Sequence, residues 1–266
     1  MVSFVEVDGA RVAYRVEGRG PGLVLVHGTG GSGETSWTEI QDRLAARWTV
    51  VRPDYAGSGE TVDGGGPLSL AALAGQVVAA AVAAGAAPFH LLGFSLGAAV
   101  AVKIAADHPA KVRSLVALGG FPCAEDARIQ LLLRLWRDLA GSDRAAMARL
   151  GLLTCLSPAY LERFDAAALE QAVAEDLAGN DWEGLVRQID LDLVLDVRDE
   201  AARVGAATLV VGCRQDQIVP PAKARALAAA LPGARYAEID SGHAAALEAP
   251  DALLDLVQPF FAAHTR

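Results

Sequence analysis

The stretch Gly93-Phe94-Ser95-Leu96-Gly97 sets one serine between two glycines. It follows the apolar run Phe89–Leu92 and precedes "AAVAVKIAADHP", a helical pattern that closes at His108-Pro109. Strand, G-x-S-x-G, helix is the setting of a nucleophile elbow, a turn so sharp that bulky neighbours would clash. Gly93, Gly97, Ala98 and Ala99 supply the small side chains it needs. Such a turn lifts the Ser95 hydroxyl above the sheet. It also aims the Leu96 N–H and the helix N-terminus at whatever Ser95 attacks. A serine hydroxyl needs a base, and the base needs an orienting acid. Of the five histidines, His27 belongs to a glycine-rich turn, His90 to a strand, His108 to a helix end and His264 to the tail. His243 remains, in "DSGHAAALEAP", just beyond the apolar run Arg235–Ile239. For the acid, Asp216 stands in "VVGCRQDQIVP", four residues past Gly212. The segment after Ser114–Leu118 has no acid until Glu125, so Asp216 is the candidate.

A second motif, "HGTGGSGET" from His27 to Thr35, admits three readings. As a phosphate loop, G-x-x-x-x-G-K-T, it fails on charge, because Glu34 replaces the lysine that neutralises phosphate. As a dinucleotide turn it has a preceding strand and an acid, Asp54, at the end of the next one. That fold requires the helix to begin within the glycines, so that its N–H groups meet the pyrophosphate. Here Ser36-Trp37-Thr38-Glu39 has the form of a capping box, and Trp37, Ile40 and Leu44 then repeat on one face. A helix starting at Trp37 lies too far along. The third reading, an oxyanion-binding loop, agrees with a serine nucleophile downstream.

The elements that position these residues follow from the apolar pattern. Val2 to Val7 and Arg11 to Val16 surround Asp8-Gly9-Ala10 and predict an opening hairpin. Six further strand-like runs follow: Leu23–His27, Thr49–Arg52, Phe89–Leu92, Ser114–Leu118, Thr208–Gly212 and Arg235–Ile239. Helical patterns separate most of them. This alternation predicts an α/β fold, a mostly parallel eight-stranded sheet with helices on both faces. Between Phe121 and Gly205 the rhythm breaks. These residues read as helices over Glu125–Ala140, Arg144–Leu153, Ala166–Ala178 and Trp182–Leu193. So long a stretch is no loop in a compact domain. It predicts a helical cap over 121–205, inserted into a core made of 1–120 and 206–266.

Composition narrows the function classes. With 266 residues, 53% of them hydrophobic and 21% charged, the chain has ample core for one large domain with an insertion. A formal net charge of −9 opposes a nucleic-acid or anionic-membrane partner, which calls for clustered Lys and Arg. Cys123, Cys155 and Cys213 are scattered, odd in number and without metal-ligand spacing. They point to a reducing, cytoplasmic compartment and to no metal site. The start, Met1 to Gly9, lacks a basic region followed by an apolar stretch and predicts no signal peptide. Leu70 to Ala87 is mostly alanine, interrupted by Gln76, and predicts a buried helix rather than a membrane span.

Taken in order, His27-Gly28, "RPDYAGSGET" from Arg52 to Thr61, Gly93 to Gly97, Asp216 and Gly242-His243 resemble the α/β-hydrolase superfamily over essentially the whole chain. The resemblance implies a Ser95–His243–Asp216 triad, with the Thr29 and Leu96 N–H groups as the oxyanion hole. It implies no cofactor. "DYAGSG" departs from the family's usual D-x-R-G-x-G-x-S loop, with Ala56 near the usual arginine, and Asp54 and Ser58 read as structural. The place and size of the cap resemble the group of enol-lactonases, carbon–carbon bond hydrolases and carboxylesterases. Haloalkane dehalogenases and epoxide hydrolases share the cap but use an aspartate where this chain has Ser95. The expected activity is hydrolysis of a carboxylic ester, thioester or lactone of a small, largely apolar molecule. Carbon–carbon bond hydrolysis, elimination, and a small-molecule receptor on the same fold are the alternatives. Trp136 and Trp182 are the candidate pocket residues, with Leu132, Leu135, Tyr160 and Phe164 as further apolar cap side chains. Pocket lining and the cap's own core are both open to them.

Overall fold

The computed structural model describes residues 1–265. The chain opens with β1 (Val2–Val7) and β2 (Ala10–Glu17), joined by Asp8 and Gly9, both at positive φ (49° and 80°). That is the two-residue turn an Asp-Gly pair favours, because its twist matches that of the strands it joins. β3 (Gly22–Val26), α1 (Gln41–Ala45), β4 (Thr49–Pro53), α2 (Leu70–Ala83), β5 (Phe89–Phe94), α3 (Leu96–Asp107) and β6 (Val112–Leu118) follow. A helical segment then intervenes: α4 (Ala127–Ser142), α5 (Arg144–Cys155), α6 (Pro158–Leu161), α7 (Ala166–Gly179), α8 (Trp182–Asp192) and α9 (Arg198–Arg203). The chain closes with β7 (Ala207–Cys213), α10 (Pro221–Ala230), β8 (Arg235–Ile239), α11 (Ala245–Glu248) and α12 (Pro250–Ala263).

The eight strands form one sheet in the order β1-β2-β4-β3-β5-β6-β7-β8. β2 runs antiparallel to β1 and β4, and every other pair is parallel. β3 is GLVLV with every residue buried, as a strand covered on both faces must be. One apolar layer packs α2, α3 and α10 on the sheet, and a second packs Trp37, Leu44, Trp48, Leu253, Phe260 and Phe261 on the other face. After β3 the chain moves outward to β4, then returns to place β5 on the opposite side of β3. Such a reversal opens a crevice beyond the carboxyl ends of the strands, where ligands of open α/β sheets bind. His27, Ser95, Gly119 and Asp216 all lie just past those ends. Among the described residues, no helix is long and apolar enough to cross a membrane.

Two local expectations change. The helix after the glycine turn begins at Gln41, not Trp37, and Ser36 does not cap it. Ser32 instead closes a turn well before the helix. Its hydroxyl accepts the N–H groups of Glu34 and Thr35, and its carbonyl accepts that of Ser36. A side chain that bonds nearby backbone competes with a helix start, and here it winds residues 32–36 into turns. Further on, the short helices α6 and α9 add to the four expected between β6 and β7.

Candidate active site

Ser95 sits at φ 56°, ψ −120°, between the end of β5 and the start of α3. Few non-glycine residues adopt a positive φ, and the strain must be held by the surroundings. Here the Ser95 N–H donates to Leu118 O at 2.9 Å, and Ser95 O accepts from Ala98 N at 2.9 Å. Gly97 explains the second glycine of the motif. A Cβ there would run into the carbonyl oxygens of Val26 and His27, so only glycine lets α3 start this close to β3.

His243 and Asp216 are brought together. The His243 ring nitrogen Nδ1 lies 2.6 Å from Asp216 Oδ2, and both side chains are buried. Asp216 Oδ1 accepts the N–H groups of Ile218 (2.8 Å) and Val219 (2.7 Å). Asp216 thus accepts two backbone N–H groups on one oxygen and meets the imidazole with the other, an arrangement that suits a ring proton on Nδ1. The Phe94 ring packs 4.8 Å from the His243 ring and holds its plane. Gly242 allows a close approach rather than a special backbone angle. A Cβ there would come within 2.6 Å of Cys155 O, Glu248 Oε1 and Ser157 N. Glu248 accepts the N–H groups of both Gly242 and Ser157, and Ala244 N donates to Cys155 O. The histidine loop is thereby tied to the end of α5.

Ser95, His243 and Thr29 line one cavity of about 110 Å³. No hydrogen bond joins Ser95 to His243 among the described residues; in unliganded hydrolytic sites this contact is often loose and tightens with substrate. The remaining walls are largely apolar: Phe94, Phe121, Ile218 and Val219 from the core, and Ile129, Leu132, Leu133 and Trp136 from α4. α4 presents them because its stripe Ile129, Leu133, Trp136, Ala140 repeats every three or four residues and is buried. Asp126 caps that helix by accepting the N–H groups of Arg128 and Ile129.

Trp136 therefore lines the cavity, as does Leu132, but Trp182 does not. Trp182 opens α8, donates Nε1–H to Leu177 O at 3.3 Å, and faces the Arg144 guanidinium. The residue of α8 that does reach the cavity is Asp192, ten positions on, or about 15 Å along the helix. Leu135 is 43% exposed, and Tyr160 and Phe164 pack on each other away from the cavity. Leu96 is fully buried at the first turn of α3. Asp54 holds the glycine turn by accepting Gly33 N at 2.7 Å, and Ser58 donates to Tyr55 O.

Two residues absent from the sequence expectations complete the surroundings. α8 buries Leu185, Gln188, Ile189 and Asp192, one continuous stripe in which two members are polar. Gln188 accepts Gly30 N at 2.8 Å and donates to Gly57 O at 2.8 Å, fastening α8 to both glycine loops. Asp192 Oδ2 accepts the Thr29 hydroxyl at 2.5 Å. Burial, the strongest influence, pushes the Asp192 carboxyl up to about 7, against the opposing pull of Thr29 and His243. Removal from water, and then the charges of Asp216, Asp176 and Glu248, pushes the Cys155 thiol in the same cavity up to about 12, so it stays protonated.

A serine on a strained elbow, facing a carboxylate-held histidine in an apolar cavity, agrees with the family model described as the alpha/beta hydrolase family, which matches residues 23–256. The chain belongs to this family. It is 46% identical over 256 residues, 96% of each chain, to the pyrrolizixenacetamide deacetylase of Xenorhabdus hominickii. Among solved structures it is similar to a hydrolase from Pseudomonas aeruginosa PA01, with TM-score 0.86, 27% identity and 98% of both chains covered. It shares its fold with the enol-lactonase from Burkholderia xenovorans LB400, with TM-score 0.87 and 24% identity over 98% of this chain and 100% of that one. The chain is an enzyme of hydrolase type.

Proposed function

We propose that this chain is a serine hydrolase that cleaves the acyl bond, ester or amide, of a small and largely apolar organic molecule. The observation that carries the reading is the buried His243–Asp216 pair at the mouth of the Ser95 elbow, inside one cavity. Ser95 Oγ attacks the substrate carbonyl carbon while His243 Nε2 takes its proton. Asp216 stabilises the imidazolium that results. The N–H groups of Thr29 and Leu96 bind the tetrahedral oxyanion, each donor contributing about 3–4 kcal/mol in comparable sites. His243 then hands its proton to the leaving oxygen or nitrogen, and the acyl-enzyme forms. Water repeats the cycle, with its proton going to His243, and frees the carboxylic acid. The chemistry uses these side chains, the two backbone amides and water. The residue pattern points to esters and lactones, and likeness to a deacetylase whose name specifies an acetamide extends the reading to amides. Residues 121–205 act as the cap, since α4 supplies four of the cavity's apolar side chains. The three free cysteines fit a cytoplasmic setting.

A panel of 4-nitrophenyl esters and 4-nitroanilides of graded acyl length tests this reading. Saturable, multiple turnover that is lost in Ser95→Ala is expected. Absence of turnover on every acyl substrate contradicts it.

The two cap tryptophans should separate. Trp136→Ala should shift relative kcat/KM among acyl chains by about 1–3 kcal/mol, the scale of apolar pocket contacts. Trp182→Ala should leave those ratios alone and destabilise the fold by about 3–5 kcal/mol, the cost of a large-to-small change in packed surroundings. Equal selectivity shifts in both variants would contradict the placement.

A further inference from the structure

Among the described residues, six buried side-chain polar atoms have no hydrogen-bond partner, and two of them belong to residues that line the Ser95 cavity: Asp192 Oδ1 and Trp136 Nε1. An unpartnered buried polar atom is costly, and beside a cavity a group of the ligand can complete its bonding. Asp192 is 4% exposed and Trp136 7%, so water reaches neither freely. Asp192 Oδ2 is already engaged by the Thr29 hydroxyl, which leaves Oδ1 with its bonding capacity unused. The indole N–H can only donate, whereas a carboxylate oxygen can only accept. In the serine-hydrolase reading the scissile carbonyl oxygen is bound by the Thr29 and Leu96 amides. The indole therefore requires a different acceptor. A molecule that satisfies both orphans offers one acceptor and one donor besides the bond that breaks.

We propose that Asp192 and Trp136 recognise a second polar group of the substrate, an amide beside the scissile acyl bond, with Asp192 Oδ1 accepting its N–H and Trp136 Nε1 donating to its C=O. This rests on the serine-hydrolase reading and adds the substrate class. Asp192 is a specificity residue here, and its proton takes no part in the acyl transfer. The carboxyl loses its proton near pH 7, with His243, Tyr55 and Cys155 as its titratable neighbours about the site. While Thr29 donates to Oδ2, only the ionised form presents Oδ1 as an acceptor, because the neutral acid carries its proton there. Preference for the amide therefore rises with pH through about 7. His243 acts on all substrates alike and cancels from a ratio of rates.

Three 4-nitrophenyl esters of one chain length test the proposal: pentanoyl with no second polar group, 4-oxopentanoyl with an acceptor, and N-acetylglycyl with an acceptor and an N–H. kcat/KM is measured from pH 5.5 to 8.5 and corrected for spontaneous hydrolysis. The N-acetylglycyl to 4-oxopentanoyl ratio in the wild-type enzyme should rise across pH 7 and level off above it. Asp192→Asn keeps an oxygen for Thr29 but turns an NH₂ toward the substrate. It should lower that ratio about 10- to 100-fold at pH 8 and flatten its pH dependence, as loss of a hydrogen bond to a charged group does. Trp136→Phe should lower the 4-oxopentanoyl to pentanoyl ratio about tenfold at most. A flat wild-type ratio, or rates that fall alike on all three esters in Asp192→Asn, overturns the proposal and leaves Asp192 as a support for Thr29. No Ser95-dependent turnover of the pentanoyl ester would instead overturn the hydrolase reading itself.

Discussion

Replacing Ser95 with alanine should lower kcat by about 10⁴- to 10⁶-fold while leaving the fold intact. The hydroxyl lies in a half-buried position at the elbow, and its loss removes one oxygen without opening the apolar layers on either side of the sheet. His243→Ala should be comparably damaging, because the serine then has no acceptor for its proton. The double variant should be little worse than either single one. Groups that serve one proton transfer fail together, and what survives is catalysis by the oxyanion amides and by binding. Steady-state kinetics on one ester checks this. If the two losses multiply, Ser95 and His243 do not act as a unit.

The second large effect is on stability. Asp192→Asn should raise the melting temperature at pH 8 and barely change it at pH 4. The native carboxyl loses its proton near 7, whereas an unfolded aspartate does so near its ordinary 3.8. Between those values the native state holds a proton that the unfolded chain lacks, so the wild-type enzyme loses stability as pH rises from about 4 to about 7. Above 7 the full penalty is in place, on the order of a few kcal/mol. Asparagine cannot ionise and avoids it while still accepting the Thr29 hydroxyl. Differential scanning calorimetry of both proteins at the two pH values isolates this one group. A lower melting temperature at pH 8, or an equal change at both, would contradict the account. A buried acid that costs the fold stability is what a site residue looks like, in contrast to Gln188 on the same stripe, whose amide oxygen and nitrogen are both engaged in holding Gly30 and Gly57.

That contrast also separates what was legible in the sequence from what was not. Ser95, Asp216 and His243 each stand three or four residues beyond an apolar run, with a glycine one to four positions away, and such signals are local. The strands were legible for a similar reason: six are short, mostly apolar runs with polar or glycine borders, and the first two surround a turn signal. Gln188 and Asp192 were not, although they occur at helical spacing with Leu185 and Ile189. A polar residue on a mostly apolar stripe reads as an imperfect stripe until the loops that face it are known, and those loops are more than 130 residues away in sequence. Trp136 and Trp182 looked alike because both belong to amphipathic helices. Which of them meets the cavity depends on how α4 and α8 cross the end of the sheet. The start of α1 differs from the expected Trp37 because Ser36 has the type of a capping residue, while the bonds of Ser32 hold residues 32–36 in turns.

Everything proposed for the site depends on Ser95 being the nucleophile, and covalent labelling tests that directly. The folded enzyme is treated with a fluorophosphonate at pH 8, and the adduct is located by peptide mass spectrometry. One equivalent on Ser95, with activity lost in parallel and no label on His243→Ala, is the predicted result. Label on Ser58 or another hydroxyl, or full activity after Ser95 is modified, would contradict it.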